Sequence, residues 1–226
     1  HAGRDNEQNG SCYVIAALIN PHGVCRMTAA LARTIQHTLL KITATADDIR
    51  AVCSECRHYD FQAVCVQPMW VDLALRELEG SNSVVCAVAD FPHGAGSRTA
   101  TTSEVRELVD KGVREVDVVC KIGYLRSGMD AAFEDDLAAV VAAAGGAVTK
   151  AILETSILTD AELARAVELA IAAGMDYIKT ASGFNGPGAT VAIIERMRTL
   201  AAGRVKIKAA GGIRTRADAL AMIDAG

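Results

Sequence analysis

The sequence lacks any apolar run of the ~20 residues that a transmembrane helix requires, and it shows no secretory signal. It also lacks an excess of positive charge, because the formal net charge is -4 at pH 7. These absences give no sign of a membrane partner or a nucleic-acid partner. Aromatic residues make up only 4% of the chain, whereas 51% of the residues are hydrophobic. The composition therefore predicts one domain of medium size with a core of small aliphatic side chains.

A disulfide framework is not expected either. The chain has 226 residues and seven scattered cysteines, an odd number that does not suggest paired bridges. We therefore expect a reduced protein in the cytoplasm. Cys53 and Cys56 have the CxxC spacing of redox and metal sites, but they fall inside a helical pattern without a second pair nearby. We interpret them as structural cysteines on one helix.

The sequence does contain a regular alternation of short apolar segments and amphipathic segments. Strands are predicted at 37–40, 62–66, 83–89, 115–120, 149–154, 177–181 and 205–210. Helices are predicted at 28–36, 45–59, 71–79, 103–111, 130–144, 159–173, 189–201 and 216–225. This alternation indicates a parallel α/β fold, and we predict a (β/α)8 TIM barrel that lacks its eighth strand. The rival is an open doubly wound sheet, but no GxGxxG fingerprint follows the first strand.

The predicted barrel domain covers 27–226, and the sequence reads as a barrel that is incomplete at its C-terminal end. The first part of the chain, 1–26, is uneven. Its opening residues are polar, and 13–18 is apolar without a clear partner. We assign no role to 1–26.

Two lysines lie inside apolar strands that run directly into glycine turns. Lys179 and Lys208 share the pattern Ile-Lys-x-Ala-x-Gly. Desolvation and a neighbouring cation both lower the pKa of a buried lysine, and the neutral amine can attack a carbonyl carbon to form a Schiff base. Strand alternation directs both side chains into the barrel from adjacent strands. The alternative is a lysine at a strand end whose ammonium group reaches water.

A carboxylate is expected beside these lysines. Asp117 lies between valines in a strand that should be buried, and alternation directs it inward. An isolated inward carboxylate is costly, but a carboxylate beside lysines is paired and able to transfer protons. The alternative is a buried ion pair with only a structural role. Lys150, near the start of its strand, is either a supporting charge or a solvated strand end.

Glycine-rich turns follow the last two predicted strands. Gly183 lies in the first turn, and Gly211 and Gly212 lie in the second. Small residues allow backbone N–H groups to approach an anion, and loops at this end of a TIM barrel often bind phosphate. Arg214 either pairs with that phosphate or is an ordinary surface charge.

Several of these segments together resemble one family. They are 37–41, 63–66, 115–119, 122–123, 152–155, 177–180, 183–184 and 208–214, including a Lys-Thr-x-x-Gly-Phe motif that begins at Lys179. From Met27 to Gly226 the chain is similar to the deoxyribose-phosphate aldolases, which are class I aldolases on a TIM barrel. The resemblance implies reversible cleavage of 2-deoxy-D-ribose 5-phosphate to D-glyceraldehyde 3-phosphate and acetaldehyde. It implies no metal ion and no other cofactor, and a homodimer is a possible assembly.

The resemblance also implies roles for individual residues. Lys179 is the Schiff-base lysine, Lys208 is the second lysine that lowers its pKa, and Asp117 is the acid and base. The substrate and phosphate contacts are expected from Thr180, Gly183, Gly211, Gly212 and Arg214. Supporting roles are expected for Lys150 and Cys65.

Three positions depart from the family pattern. Gln36 stands where an aspartate is usual, Lys121 replaces an asparagine, and Asp90 replaces a glycine. Alternation places Lys121 on the inward face, where we expect it to pair with Asp117 or to perturb substrate binding. The glycine–serine phosphate motif of the family's eighth strand is absent. Two alternatives remain open: a related class I aldolase with a different aldehyde specificity, and a weakened barrel that only binds a sugar phosphate.

Overall fold

The computed structural model describes residues 29–226, so the predictions for 1–26 lie outside the described residues. Seven parallel strands form one sheet in chain order, as the βα alternation predicts. The strands are β1 (Gln36–Leu39), β2 (Ala63–Val66), β3 (Val84–Ala89), β4 (Glu115–Val119), β5 (Val148–Ile152), β6 (Tyr177–Lys179) and β7 (Lys206–Lys208). Within 29–226 the sheet is a curled, TIM-like half-barrel whose edges are β1 and β7, without a closing eighth strand.

Helices alternate with the strands along the chain. They are α1 (Ala29–Ala32), α2 (Ala46–Tyr59), α3 (Val71–Glu77), α4 (Arg98–Lys111), α5 (Ile122–Arg126), α6 (Asp130–Ala144), α7 (Asp160–Ala172), α8 (Val191–Ala201) and α9 (Arg216–Ala225). Short 3-10 helices occur at Pro68–Trp70 and Thr155–Ile157. Across the described residues, no helix has both the length and the apolar character needed to span a bilayer.

Side-chain caps fix where several helices begin. The Thr45 hydroxyl accepts a hydrogen bond from the backbone N–H of Asp48, whose carboxylate bonds back to the Thr45 N–H. The same reciprocal capping box joins Thr159 to Glu162 at the start of α7. Each box satisfies backbone N–H groups that have no partner inside the helix. The helices predicted at 45–59 and 159–173 are thereby confirmed, with Thr45 and Thr159 as their N-caps.

Some predicted boundaries are wrong. The predicted helix at 28–36 is only Ala29–Ala32 in the described part of the chain, because Gln36 already pairs with Ala63 in the sheet. Helix α4 begins earlier than predicted, because the Ser97 hydroxyl accepts from the Ala100 N–H and caps a preceding turn. The predicted strands at 177–181 and 205–210 are shorter in the structure, because the backbone leaves the sheet just after Lys179 and just after Lys208. Helix α5 was not predicted.

The two faces of the sheet bury different groups. The face toward the helices belongs to a large aliphatic cluster that includes Val64, Val116 and Ile178. The inner face carries a small separate cluster with Cys65 and Cys86. This division follows the alternation of side chains along each strand. It leaves the polar side chains of the inner face within the barrel.

Candidate active site

Asp117 is the centre of the inner face, and three lysine side chains converge on its carboxylate. Its side chain is 0% exposed. Lys179 Nζ lies 2.7 Å from Oδ2, and Lys208 Nζ lies 2.6 Å from the same oxygen. Lys150 Nζ lies 2.8 Å from Oδ1. Every one of these contacts is a charge-assisted hydrogen bond, so the carboxylate is fully paired despite its burial.

Strand register explains this convergence. Asp117 of β4 lies opposite Lys150 of β5, and Lys179 of β6 lies opposite Lys208 of β7. Directly opposed residues on neighbouring strands direct their side chains to the same face. The sequence-based expectation that Lys179 and Lys208 point inward from adjacent strands is thereby confirmed, and the register places them side by side. Lys150 is 1% exposed, so it is a buried supporting charge rather than a solvated strand end.

The charges set the protonation states of the cluster. Burial alone would raise the pKa of Asp117, but Lys150, Lys179 and Lys208 hold it well below its usual range. Burial would lower the pKa of Lys179, yet the contact with Asp117 raises it above its ordinary value. The expectation of a lowered pKa at Lys179 is therefore wrong for the unliganded protein. The attraction of the Asp117 carboxylate, at 2.7 Å from the Lys179 amine, outweighs burial.

A second carboxylate lies deeper in the barrel, and sequence reasoning missed it. Glu115 accepts from Gln36 Nε2 at 2.6 Å and lies 2.5 Å from Lys150 Nζ. Its pKa is held below the usual range because these contacts outweigh burial. Gln36 Oε1 in turn accepts from Lys208 Nζ. Glu115 comes two positions before Asp117 in the same strand, so their side chains point to the same face of the sheet. This alternation could have identified Glu115 from the sequence.

Two thiols lie on the other side of Asp117. Cys65 and Cys86 are opposite one another in β2 and β3, and both are 0% exposed. Cys86 Sγ donates to Asp117 Oδ1 at 3.2 Å. The thiol of Cys86 lowers the pKa of Cys65 to about 7 by hydrogen bonding, which outweighs burial. Cys65 was expected as a supporting residue. Cys86 was not predicted, although its side chain points to the same inner face of the sheet.

A cavity of about 730 Å³ opens above the lysines. Its lining includes Lys179, Lys208, Gly183, Gly211, Gly212 and Arg214. The structure thus brings the predicted lysines and the predicted glycine turns to one space. Gly211 has φ +87, and a Cβ there would meet the backbone of Gly188 at 2.7 Å. This close approach of two loops requires glycine on both sides.

Thr180 forms hydrogen bonds within the protein, whereas the Arg214 side chain is exposed at the edge of the cavity. The Thr180 hydroxyl donates to the Ala210 carbonyl at 3.0 Å and accepts from the Ala210 N–H at 2.9 Å. It therefore joins the ends of β6 and β7, where the regular strand pairing has stopped. Arg214 is exposed at the rim of the cavity. Their contacts with phosphate stay predictions.

Lys121 does not pair with Asp117, which corrects one expectation. Its Nζ lies 2.6 Å from Asp90 Oδ2 and 3.6 Å from Asp136 Oδ2. The chain leaves β4 at Val119, and Lys121 is in the turn that starts α5, so strand alternation no longer applies to it. Asp90 has φ 49, in the left-handed region that favours glycine. Two of the departures from the family pattern thus contact each other.

Glu154 organises the loop that carries Phe184. It is 1% exposed and accepts from the Ser182 N–H at 3.1 Å and from Asn185 Nδ2 at 2.9 Å. Asn185 Nδ2 also donates to the Pro92 carbonyl at 3.0 Å. Loops after β3, β5 and β6 are thereby tied together at the mouth of the cavity.

The CxxC pair lies away from this chemistry. Cys53 and Cys56 are on α2, both are fully buried, and neither forms a disulfide. Burial raises the pKa of the Cys53 thiol to about 12. A protonated, buried thiol is unreactive. The interpretation of these residues as structural helix cysteines fits their placement.

Comparisons with known proteins agree with the geometry. The family model of the DeoC/LacD family aldolases matches residues 26–225. A deoxyribose-phosphate aldolase of Bacillus cereus (strain AH187) is 44% identical over 197 residues, which are 87% of this chain and 88% of that protein. A deoxyribose-phosphate aldolase of Listeria monocytogenes serotype 4a (strain HCC23) has the same identity and the same coverage.

Solved structures share the fold. The deoxyribose phosphate aldolase of Aeropyrum pernix, described as a unique tetramer, superposes with a TM-score of 0.82 at 30% identity, over 88% of this chain and 84% of that chain. An aldolase named QR15 superposes with a TM-score of 0.84 at 33% identity, over 87% of this chain and 88% of that chain. The chain belongs to the DeoC/LacD family of aldolases.

Proposed function

We propose that this chain is a class I aldolase that reversibly cleaves 2-deoxy-D-ribose 5-phosphate to D-glyceraldehyde 3-phosphate and acetaldehyde. The observation that carries the proposal is the pair of lysines, Lys179 and Lys208, which share Asp117 Oδ2 on the floor of an open cavity. A buried structural ion pair needs neither a second inward lysine nor a cavity above it. A Schiff-base site needs an amine, a proton acceptor and room for a carbonyl substrate.

Lys179 is the nucleophile in this proposal. Its side chain is 3% exposed, whereas that of Lys208 is 13% exposed, so Lys208 has the better contact with water in the cavity. Asp117 Oδ2 lies within hydrogen-bond distance of both amines. Lys208 first gives a proton to water in the cavity, and its neutral amine then takes up the proton that Lys179 passes to Asp117. The neutral Lys179 amine then attacks C1 of the open-chain sugar and, after loss of water, forms an iminium ion.

Bond cleavage uses the same groups. The iminium nitrogen accepts the electron pair of the C2–C3 bond as the C3 hydroxyl loses its proton. Asp117, with Lys208 and a water molecule, is the path for that proton. The enamine left on Lys179 takes a proton at C2, and hydrolysis releases acetaldehyde. Burial of the cluster keeps these charge-assisted contacts strong while the charges move.

We place the phosphate group of the substrate against the glycine turns that line the cavity. Gly183, Gly211 and Gly212 line it, and all three have positive φ values of +81 to +87. Such turns present backbone N–H groups to an anion. Arg214 adds a positive side chain at the rim. We propose that these groups hold the 5-phosphate and thereby fix the distance from C1 to Lys179.

Borohydride trapping tests this function. The protein is incubated with 2-deoxyribose 5-phosphate, reduced with borohydride and mapped by peptide mass spectrometry. We expect a reduced adduct on the Lys179 peptide, and we expect Lys206→Ala, which removes an exposed lysine of the neighbouring strand β7, to give an equal yield. Absence of the adduct in protein that circular dichroism shows to be folded contradicts the proposal.

A turnover assay and a second trapping reaction with acetaldehyde separate the two alternatives. An adduct on Lys179 without release of glyceraldehyde 3-phosphate supports a weakened sugar-phosphate-binding barrel. An adduct that forms with acetaldehyde, but not with 2-deoxyribose 5-phosphate, supports a class I aldolase of different aldehyde specificity. We expect turnover of the sugar phosphate, because the cavity holds both the lysines and the glycine turns.

Location and assembly complete the proposal. We propose a cytoplasmic enzyme, and the five cysteines of residues 29–226 support this because all of them are free thiols. We also propose a homodimer. Light scattering coupled to size-exclusion chromatography measures the mass directly, and a monomeric mass overturns that part of the proposal.

A further inference from the structure

The buried carboxylate of Glu154 has no role in the proposed reaction. Its side chain is 1% exposed, and none of the salt bridges within 29–226 involves it. A buried carboxylate without a cation is costly unless hydrogen bonds satisfy its oxygens. The donors that the described residues bring to it all belong to the loop between β6 and α8, through Ser182 and Asn185. The contacts of Glu154 therefore concern this loop.

The loop at 181–188 depends on such side-chain contacts. Among the described residues, no hydrogen bond joins a backbone group of 181–188 to another backbone group. At the far end of the loop, Gly188 packs directly against Gly211. At the near end, the Ser182 N–H donates to Glu154 Oε1 at 3.1 Å, and Asn185 Nδ2 donates to Oε2 at 2.9 Å. Glu154 is thus the polar anchor of the half of the loop that carries Gly183.

The Ser182 hydroxyl extends this anchor past Gly183. It donates to Glu154 Oε2 and accepts from the Phe184 N–H at 3.1 Å. The backbone is therefore held on both sides of Gly183, which has φ +86 and lines the cavity. Glu154 does not line the cavity itself. We infer that Glu154 is a positioning residue that sets the affinity for the substrate phosphate by holding the Gly183 turn, an inference that rests on the proposed function.

The anchor is fixed to the strand that carries the nucleophile. On one side of Glu154 the Leu153 N–H donates to the Lys179 carbonyl at 2.9 Å, and on the other the Thr155 N–H donates to the Thr180 carbonyl at 2.8 Å. Glu154 has φ 54, a left-handed conformation that is uncommon for a residue with a side chain. Its carboxylate therefore starts from a fixed backbone. The Gly183 turn and Lys179 share one support, which keeps the distance between phosphate and amine constant.

Glu154→Gln tests the inference with almost no change in shape. A carboxylate accepts at both oxygens, whereas a carboxamide has one donor end, which would oppose a donor of the loop. We expect KM for 2-deoxyribose 5-phosphate to rise about tenfold, with kcat within about twofold of wild type. For phosphate-free 2-deoxyribose, kcat/KM should not change. An equal loss with both sugars in folded protein overturns the inference, because the effect would then not depend on the phosphate.

Ser182→Ala is a second variant that tests the same contact. It removes the hydroxyl between Glu154 and the Phe184 N–H but leaves the Ser182 N–H in place. We expect KM for the phosphorylated sugar to rise about threefold, again without effect on the phosphate-free sugar. Since both residues act through one contact, the double variant should have the KM of Glu154→Gln alone. Fully additive effects overturn the inference.

Asp176→Asn is the matched control. Asp176 accepts from the N–H of Thr149 at 2.9 Å and from its hydroxyl at 3.1 Å, so it also links β5 to β6. This contact lies at the opposite ends of the two strands, and Asp176 does not line the cavity. KM for both sugars should equal the wild-type value. If Asp176→Asn raises KM for the phosphorylated sugar as much as Glu154→Gln does, general loosening of the two strands explains the effect and the inference is wrong.

Hydrogen exchange separates this inference from the proposed reaction, because it requires no turnover. Inorganic phosphate is the probe, and mass spectrometry follows a peptide that covers 182–186. We expect phosphate to slow exchange in this peptide, and the half-protecting concentration to be about tenfold higher in Glu154→Gln. Equal concentrations in both proteins, or no protection in wild type, overturn the inference. This difference in protein that never cleaves the sugar phosphate supports the role of Glu154 while refuting the proposed reaction.

Discussion

Two clusters of buried charge lie near the ends of neighbouring strands, and only one of them is built for chemistry. The Asp117 cluster consists of Asp117, Glu115, Lys150, Lys179 and Lys208. The Lys121 cluster consists of Lys121, Asp90 and Asp136. Both exclude water from most of their charged atoms. They differ in the balance of charge and in access to the cavity.

The Asp117 cluster has more cations than anions, and all three of its lysines line the cavity. One of its ammonium groups is therefore in excess, and it can give up a proton without leaving a carboxylate unpaired. The Lys121 cluster has one lysine between two carboxylates, and none of its members lines that cavity. Loss of its proton would leave Asp90 without a cation and Asp136 with only Arg98. Burial of charge alone thus does not identify a catalytic site, whereas excess cation beside a cavity does.

The largest effect is expected at the nucleophile. The Lys179 side chain is only 3% exposed. Lys179→Arg keeps a positive charge beside Asp117 but removes the amine that forms the Schiff base. We expect kcat to fall by about five to six orders of magnitude, the scale on which loss of a covalent nucleophile acts. Steady-state cleavage of 2-deoxyribose 5-phosphate measures this. Lys206→Ala is the matched control, and its activity should equal that of wild type.

Removal of the carboxylate is the next largest effect. Asp117→Asn removes the proton acceptor, so we expect kcat to fall by about 10²–10⁴-fold. The pKa of Lys179, which Asp117 raises in the unliganded protein, should fall because burial then dominates. Since the neutral amine is the reactive form, the pH for half-maximal borohydride trapping should shift downward.

Glu115→Gln is the control for that shift. Glu115 contacts Lys150 rather than Lys179, so its removal should leave the trapping profile nearly unchanged. An equal shift in both variants would mean that the overall charge of the barrel, and not the Asp117 contact, sets the pKa of Lys179. That result would contradict the prediction.

The Lys121 cluster should respond in stability and not in catalysis. Lys121→Met leaves Asp90 without its cation and Asp136 with only Arg98 at 3.8 Å, and we expect a loss of about 3–5 kcal/mol in the free energy of unfolding. The kcat of the folded protein should stay at the wild-type value. Urea unfolding followed by circular dichroism gives the first quantity, and initial rates give the second. A large loss of kcat in folded protein would place Lys121 in the site.

The pH dependence of this loss has a definite sign. Lys121 holds the pKa of Asp90 below its usual value in spite of burial, so the pair stabilises the fold above about pH 4 and this contribution fades as pH falls. In Lys121→Met, burial of Asp90 without its cation raises the pKa of that carboxyl group. The destabilisation should therefore be greatest at neutral pH and shrink in acid.

The smallest effect is expected at the rim. Arg214→Ala removes one charged contact to the phosphate, so we expect KM for the phosphorylated sugar to rise about tenfold. Phosphate-free 2-deoxyribose should show no change in kcat/KM. Arg216→Ala is the matched control, since Arg216 is exposed nearby but does not line the cavity. If Arg214→Ala and Arg216→Ala change the kinetic constants for the phosphorylated and the phosphate-free sugar to the same extent, Arg214 does not contact the phosphate.

Much of this site could be predicted because it depends on short-range patterns. The period of two along a strand placed Lys179, Lys208 and Asp117 on the inner face, and glycines after those lysines indicated the loops of the cavity. Alternation needs no knowledge of neighbouring strands. For that reason the fold and these three side chains followed from local sequence alone.

The remaining features depend on long-range geometry. Lys150 reaches Asp117 because their strands align in register, and one strand does not reveal its register with the next. Lys121 pairs with Asp90 because the chain has already left the strand, so alternation misdirected it. The pKa of Lys179 results from burial and attraction acting in opposite directions. Only the distance to Asp117 decides which of them is larger.

The pairing of Asp117 with Lys150 across β4 and β5 also affects which strand register the sheet adopts. Parallel strands rich in valine and alanine offer nearly equal packing in several alignments, and a shift by one residue exchanges the two faces. Such a shift would move Asp117 and Lys150 from their mutual contact into the aliphatic layer under the helices, where unpaired charges are strongly disfavoured. The same charges that equip the barrel for proton transfer therefore penalise its misaligned folds.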